Sequence, residues 1–221
     1  MRKAQLVNHG YYHIYNRGVD KREVFSGSAD YKRFLLSLFL MNDEVDGLMI
    51  RWRNFFASHP NSSPQEFLRL NLSERKELVN VIAYCCNPNH YHFVLRQLRE
   101  RGIERFMQRV ATGYTMYYNE KYHRTGALFQ GRFKSSPIKS EGSLLRMSIY
   151  VSCNSEIHRL SQAESYPWCS FRQHIGKAKD DFINDKDFRS QFRNVAEFKE
   201  YAKENIIDFQ TRKQDADIFF E

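Results

Sequence analysis

Hydrophobic and polar positions alternate along some parts of the chain and recur with helical spacing in others. Residues 11–17 alternate bulky and polar side chains, which is typical of a strand, whereas hydrophobic positions over 28–39 repeat every three or four residues, which predicts a helix. Two more strands are predicted over 78–86 and 90–97. The Asn-Pro-Asn sequence between them favours a turn, so we expect these two strands to be antiparallel neighbours.

The second half of the pattern adds a long amphipathic helix from Ile103, a strand over 128–138 and a helix over 143–154. The order strand, helix, two strands, helix, strand, helix is typical of an α+β protein with a ferredoxin-like (RRM-like) antiparallel sheet. We expect the helices to pack on one face of this sheet. The opposite face would then remain open for a ligand.

Residues 42–77 lack a sustained period and include a loop with two prolines before a short helix near 65–70. We interpret this segment as a helical insertion in a domain that spans 1–175. An amphipathic piece near 195–201 predicts that residues 176–221 form a C-terminal helical extension.

The composition, with 42% hydrophobic and 27% charged residues, is typical of a soluble globular protein. A net charge of +8 favours a polyanionic partner, and the 15% aromatic content suits either stacking on bases or filling of the core. No apolar run reaches the roughly 18 residues that span a membrane, and no secretory signal is visible, so we expect a cytoplasmic protein without membrane contact.

His90 and His92 flank Tyr91 in the second strand of the predicted hairpin. Because side chains alternate along a strand, both imidazoles lie on one face and could bind a metal. Spacing alone leaves open that they are surface or core histidines without a metal. A structural zinc site that adds Cys85 and Cys86 is disfavoured, because neighbours on a strand diverge; the four cysteines, which form no C-x-x-C pair, are expected to be free buried thiols.

Tyr150 lies about 150° from the centre of the hydrophobic stripe of the 143–154 helix, at 100° per residue. Asn154 follows one turn later and faces the same space. A tyrosine that lies along the surface is the ordinary alternative. In a catalytic role, the phenol oxygen would attack a phosphodiester, and a divalent cation held by His90, His92 and the Asn154 amide oxygen would polarise the phosphate.

Several motifs in one order give the chain a resemblance to a known family. They are the His-Tyr-His strand, the later Tyr-x-x-x-Asn helix, the Gly-Ala-Leu-Phe-Gln-Gly-Arg-Phe-Lys segment, the Tyr-Thr-Met-Tyr-Tyr-Asn helix end and the Tyr-Pro-Trp-Cys-Ser loop. Together they resemble the single-tyrosine HUH transposases, and with the opening Tyr-His-Ile-Tyr-Asn-Arg-Gly most closely the REP-associated branch. The resemblance runs from about residue 10 to 175 and implies the HUH endonuclease fold.

The resemblance implies a nuclease and strand transferase that acts on single-stranded DNA, often near hairpins. Tyr150 would be the nucleophile, forming a 5′-phosphotyrosine link and freeing a 3′-hydroxyl. His90 and His92 would hold Mg²⁺ or Mn²⁺, with Asn154 as the third ligand. The implied protein is a bacterial monomer or homodimer that associates with the nucleoid while acting. This chain departs from the family in having Ser155 after Asn154, where proline is usual, and Asn87 where methionine is common.

Nine polar and basic side chains are candidates for DNA contact, although each alone is an ordinary surface group. Strand alternation would place three of them, Gln130, Arg132 and Lys134, on one face. The full set is Arg17, Lys21, Arg22, Arg105, Arg109, Arg124, Gln130, Arg132 and Lys134. His13 and His123 lack a partner at ligand spacing and are left out of the predicted metal site.

The positive charge and the aromatic content also fit a non-catalytic function. A single-stranded nucleic-acid-binding module would recognise structured strands through the open sheet face and the basic helix. Such a module would not need Tyr150, His90 or His92. The covalent attachment of DNA therefore separates the two hypotheses.

Overall fold

A computed structural model describes residues 5–218, with side chains up to 213. Residues 1–4 and 219–221 lie outside the described residues. The expected absence of a secretory signal and the end of the predicted C-terminal extension fall partly on these segments. The centre of the fold is a four-stranded sheet in the order β2-β3-β1-β4, with every neighbouring pair antiparallel. Its strands are β1 (Tyr11–Arg17), β2 (Val79–Asn87), β3 (His90–Gln97) and β4 (Lys134–Ile138). This order confirms the predicted ferredoxin-like sheet.

The described helices surround this sheet. They are α1 (Ser28–Leu40), α2 (Leu48–Ser58), α3 (Pro64–Asn71), α4 (Gly102–Lys121), α5 (Glu141–Ser152), α6 (Asn154–Ile157), α7 (Phe171–His174), α8 (Lys186–Arg189) and α9 (Val195–Ile218). A short 3-10 turn, Val19–Lys21, follows β1. In the predicted insertion, α3 matches the expected short helix, whereas α2 has no counterpart in the predicted elements. None of these described helices combines the length and the apolar character that crossing a bilayer requires.

The larger core lies between the sheet and the helices α1 and α4. Tyr91 and Phe93 of β3 point to this side, where Phe34 of α1 packs against both of them and against Tyr114 of α4, and all four are fully buried. The Tyr114 hydroxyl donates to the carbonyl of Val24 at 2.5 Å, which satisfies its polar atom inside the core. The predicted packing of helices on one face is thus present here.

The second face of the sheet is covered over β2 and β3, so the expectation that this whole face stays open is wrong. Ile149 and Val151 of α5 pack there against Ala83 and Val94, and α9 closes the same cluster with Phe198. The physical reason is that β2 is hydrophobic on both sides, as its almost unbroken burial shows, and a strand of this kind needs a cover on each face. The face remains accessible beside β1 and β4.

The last strand is shorter than predicted. Regular pairing begins only at Lys134, because Gly131 adopts a left-handed backbone conformation (φ +65°) that interrupts the alternation. Before it, Leu128 and Phe129 are both buried although they are consecutive, and Phe129 forms an isolated bridge with Gly18. The predicted alternation of Gln130, Arg132 and Lys134 along one strand is therefore wrong.

The helix predicted over 143–154 also divides. The helix α5 ends at Ser152, Cys153 leaves helical geometry (φ −103°, ψ 14°), and Asn154 begins the short helix α6. The Ser152 hydroxyl donates to the Ser148 carbonyl at 2.7 Å, so a side chain competes for backbone acceptors in the last turn. Tyr150 and Asn154 consequently lie on two sides of a bend rather than on one continuous helix.

We expect the substitution Phe34→Ala to lower the free energy of unfolding by about 3–5 kcal/mol, because it leaves a cavity among fully buried aromatic rings. Urea denaturation followed by circular dichroism measures this change. The matched control is Ile50→Ala in α2, since Ile50 is 60% exposed and its loss removes little buried surface. Equal effects of the two substitutions would contradict the assignment of Phe34 to the core.

Candidate active site

A cavity of about 470 Å³ lies at the accessible part of the second sheet face. It is bounded by β1 and β3 below and by α5 at the side, so residues far apart in the chain meet there. The lining includes both histidines of the predicted metal pair and the predicted nucleophile. The lining residues are Tyr15, Asn16, Arg17, Asn89, His90, His92, Gln130, Lys134, Tyr150, His158 and Leu160.

His90 and His92 lie on the same face of β3, as strand alternation predicts, with ring centroids 5.1 Å apart. The Nδ1 atom of His90 lies 2.5 Å from the Oδ1 atom of Asn89, which can only accept a hydrogen bond. His90 Nδ1 therefore carries the proton, and Nε2 keeps a lone pair. This is the tautomer in which Nε2 can bind a metal.

His13 of β1 supports His92, although its lack of ligand spacing kept it out of the predicted site. Its Nε2 atom lies 2.8 Å from His92 Nδ1, and its ring stacks on Tyr15 with centroids 4.9 Å apart. The antiparallel register, in which Tyr15 lies opposite His92, brings the two histidines together. Alternation within β1 could have placed His13 and Tyr15 on one face, but the register with β3 is not readable from the sequence.

Burial keeps the histidines of this cluster neutral. It lowers the pKa of His13 to about 4, and burial together with the nearby His158 lowers the pKa of His90 to about 4. Burial, followed by the adjacent His13, lowers the pKa of His92 well below its usual value. Neutral imidazole is the form that binds metal ions, so the cluster is ready to ligate at neutral pH.

Two buried asparagines complete the floor of the site. Asn154 Oδ1 lies 3.3 Å from His90 Nε2, and Asn87 Nδ2 lies between them, at 2.6 Å from Asn154 Oδ1 and 2.9 Å from His90 Nε2. Both asparagine side chains are fully buried, and the Nδ2 atom of Asn154 has no hydrogen-bond partner among the described residues. His90 Nε2 and Asn154 Oδ1 are both acceptors, and the NH₂ group of Asn87 lies within hydrogen-bond distance of both.

This donor set fits a divalent cation such as Mg²⁺ or Mn²⁺. Within residues 5–213, no three His, Cys, Asp or Glu side chains lie close enough together to hold a metal ion. A cation bound by His90 and His92 would therefore depend on the amide oxygens beside them, and neutral oxygen ligands suit Mg²⁺ and Mn²⁺. The convergence of His90 Nε2 and Asn154 Oδ1 supplies the local geometry for this.

Tyr150 lies edge-on to the histidine cluster, with its ring centroid 5.8 Å from that of His92 and 5.8 Å from that of His13. Burial raises the pKa of its phenol, the Asn154 side chain lowers it, and Tyr15 raises it further. The bend at Cys153 preserves the contact between Tyr150 and Asn154 that the sequence predicted. The phenol is protonated at neutral pH, so its use as a nucleophile requires proton removal.

The described part of the C-terminal helix α9 contributes residues that the sequence reasoning missed. Phe209 packs against Tyr150 with ring centroids 5.1 Å apart. Lys213 Nζ lies 2.9 Å from Nδ1 of His158, whose ring is 5.4 Å from that of His90. No local sequence motif predicts these residues, because they reach the site only through the packing of α9, which begins more than 40 residues after Tyr150.

The predicted DNA-contact residues fall into two groups. Arg17, Gln130 and Lys134 line the cavity, and Lys21 and Arg22 are exposed just after the end of β1. The other four residues lie outside the cavity lining. Arg105 and Arg109 bond to backbone carbonyls of the 43–44 segment, Arg124 donates to the Asn119 side chain at 2.8 Å, and Arg132 is exposed outside the cavity lining.

Comparison with known proteins gives one family match. Residues 53–154 match the family model described as IS200-like transposase. The matched segment contains His90, His92, Tyr150 and Asn154. The chain is also similar to a solved structure of a REP-associated tyrosine transposase bound to a REP hairpin, with 11% sequence identity and a TM-score of 0.48. The alignment covers 84% of this chain and 92% of the transposase chain. No curated protein sequence matches the chain.

Proposed function

Residues 53–154 match the model of the IS200-like transposase family, and from this similarity we propose that the protein is a metal-dependent endonuclease and strand transferase that cuts and joins single-stranded DNA through Tyr150. The observation that carries the proposal is the meeting of a half-buried phenol with two neutral imidazoles in one cavity, with the buried Asn154 amide oxygen 3.3 Å from His90 Nε2. The motifs shared with the REP-associated branch support a hairpin-containing, REP-like substrate.

In the proposed reaction, the Oη atom of Tyr150 attacks the phosphorus of the scissile phosphodiester. The new bond joins phosphorus to Oη, the bond to the 3′-oxygen breaks, the phenol loses its proton and the leaving oxygen gains one. The products are a 5′-phosphotyrosine and a free 3′-hydroxyl. Because a phosphodiester is exchanged for a phosphodiester, the same hydroxyl can reverse the step and rejoin strands without an external energy source.

The residues around Tyr150 prepare this exchange. Bound Mg²⁺ or Mn²⁺ would be held by His90, His92 and Asn154 and would polarise the phosphate. The Asn154 side chain also lowers the pKa of the phenol, which favours its ionised form. Arg17 and Lys134 line the same cavity and are exposed, so they can neutralise phosphate charge on the incoming strand.

We expect the full-length protein to form a covalent adduct with a labelled single-stranded hairpin oligonucleotide in the presence of Mn²⁺. The adduct would migrate as a protein-sized band on a denaturing gel and would require the metal, so that chelation with EDTA abolishes it. A protein that binds the hairpin but yields no adduct under any divalent metal would contradict the proposed enzyme. It would support the non-catalytic binding module instead.

A further inference from the structure

We propose that the side-chain oxygen of Asn87 is an additional ligand of the cation in this site. The inference rests on the proposed function, since it concerns the metal of the same cavity. Asn87 is the last residue of β2 and lies directly opposite His90 in the antiparallel ladder, so the two side chains share one face of the sheet. The hairpin turn therefore fixes Asn87 beside the metal pair through backbone register.

The side-chain amide of Asn87 already occupies the position between two ligand atoms. Its Nδ2 atom lies 2.9 Å from His90 Nε2 and 2.6 Å from Asn154 Oδ1, and both of these atoms are acceptors. Without a cation, the amide satisfies both acceptors by presenting its NH₂ group to them. With a cation between them, the same NH₂ group would point its positive hydrogens at the metal.

A half-turn of the Asn87 amide about its last side-chain bond removes this conflict. The rotation exchanges Nδ2 and Oδ1, so the oxygen takes the place next to His90 and Asn154. On its other side, Oδ1 now accepts only a weak hydrogen bond from the Cys85 thiol, at 3.5 Å, which opposes the rotation little. The contact with Cys85 survives in the rotated state because sulfur is also a weak acceptor.

Because this position is buried, an oxygen ligand here must come from the protein rather than from water. The Asn87 side chain is fully buried, so bulk water does not reach that side of the site freely. Two imidazole nitrogens and the Asn154 oxygen form a ligand set poor in oxygen for Mg²⁺ or Mn²⁺, both of which favour oxygen donors. A second amide oxygen from Asn87 improves the match without adding charge.

Mn²⁺ binding to the full-length protein without DNA tests the proposal, with the signal of free aqueous Mn²⁺ in electron paramagnetic resonance as the readout. We expect Asn87→Leu, which removes the oxygen and keeps the volume, to weaken Mn²⁺ affinity by about tenfold. Asn87→Asp should tighten it by about fivefold, because a carboxylate adds charge to the ligand set. Gln130→Glu serves as the charge control, since it adds one negative charge to the lining of the same cavity.

Two results would overturn the ligand role. Unchanged or tighter Mn²⁺ binding by Asn87→Leu would show that Asn87 only holds the two acceptors in place when no cation is bound. Equal tightening by Asn87→Asp and Gln130→Glu would show a general effect of charge. Asn87→Asp is nearly isosteric and keeps the test decisive if thermal unfolding shows that Asn87→Leu is unstable.

The same titration separates this inference from the proposed function. The double variant His90→Ala/His92→Ala is expected to lose Mn²⁺ binding. If it does so while Asn87→Leu binds like the wild type, the metal site stands and only the role of Asn87 fails. If the double variant binds Mn²⁺ as the wild type does, the metal site itself is elsewhere.

Discussion

Replacement of Tyr150 by phenylalanine is expected to abolish the covalent attachment of DNA, with cleavage reduced on the order of 10⁴-fold or more, because the substitution removes the proposed nucleophile. The phenyl ring retains the packing of Tyr150 against Phe209 and against His92, so the fold and the cavity should persist. Hairpin binding, measured by fluorescence anisotropy, should therefore change by less than about twofold. The adduct is measured on denaturing gels with labelled oligonucleotide.

Tyr117→Phe is the matched control for this experiment. Tyr117 lies in the last two turns of α4, where its hydroxyl donates to Asp30 at 3.1 Å. The control variant should form the adduct as the wild type does. An adduct that persists in Tyr150→Phe and disappears in Tyr117→Phe would move the nucleophile to the other face of the sheet.

The β2–β3 hairpin shows what local pattern alone can establish. Alternation and the Asn-Pro-Asn turn predicted both strands within one residue, and they predicted that His90 and His92 share a face. The helical pattern likewise set Tyr150 apart from the buried stripe of α5, and the structure places it half-buried at the cavity. These features depend on neighbours in sequence, which is why they are readable.

The remaining features depend on contacts between distant segments. The pairing of His13 with His92 follows from the register of β1 on β3, and the cover of the second face follows from α5 and α9 packing on a strand that is apolar on both sides. Asn87 was predicted as a turn residue, and its hydrogen bond at 2.6 Å to Asn154 joins β2 to the start of α6, 67 residues further along the chain. Gly131 shortened the last strand because a single left-handed residue overrides alternation.

His90→Ala is expected to lower the cleavage rate by about 10–100-fold at a fixed, low Mn²⁺ concentration, because it removes one of the two proposed imidazole ligands. The defect should shrink as the Mn²⁺ concentration is raised, since the proposed nucleophile Tyr150 is intact and only metal affinity is expected to fall. Gel-based cleavage rates over a Mn²⁺ titration measure this, with hairpin binding followed in parallel.

His59→Ala supplies the matched control, because His59 is an exposed histidine after α2, outside the cavity lining. An unchanged rate in His90→Ala, or the same loss in His59→Ala, would remove His90 from the metal site.

The results for His90→Ala and Tyr150→Phe together distinguish the enzyme from the binding module better than either variant alone. If both variants lose cleavage and both keep hairpin binding, then binding and chemistry are separable on this surface, as expected when the exposed cations hold the strand and the buried polar cluster performs the exchange. If His90→Ala and Tyr150→Phe both keep full function in cells, the protein acts as a binding module, and its charge and aromatic content serve binding rather than catalysis.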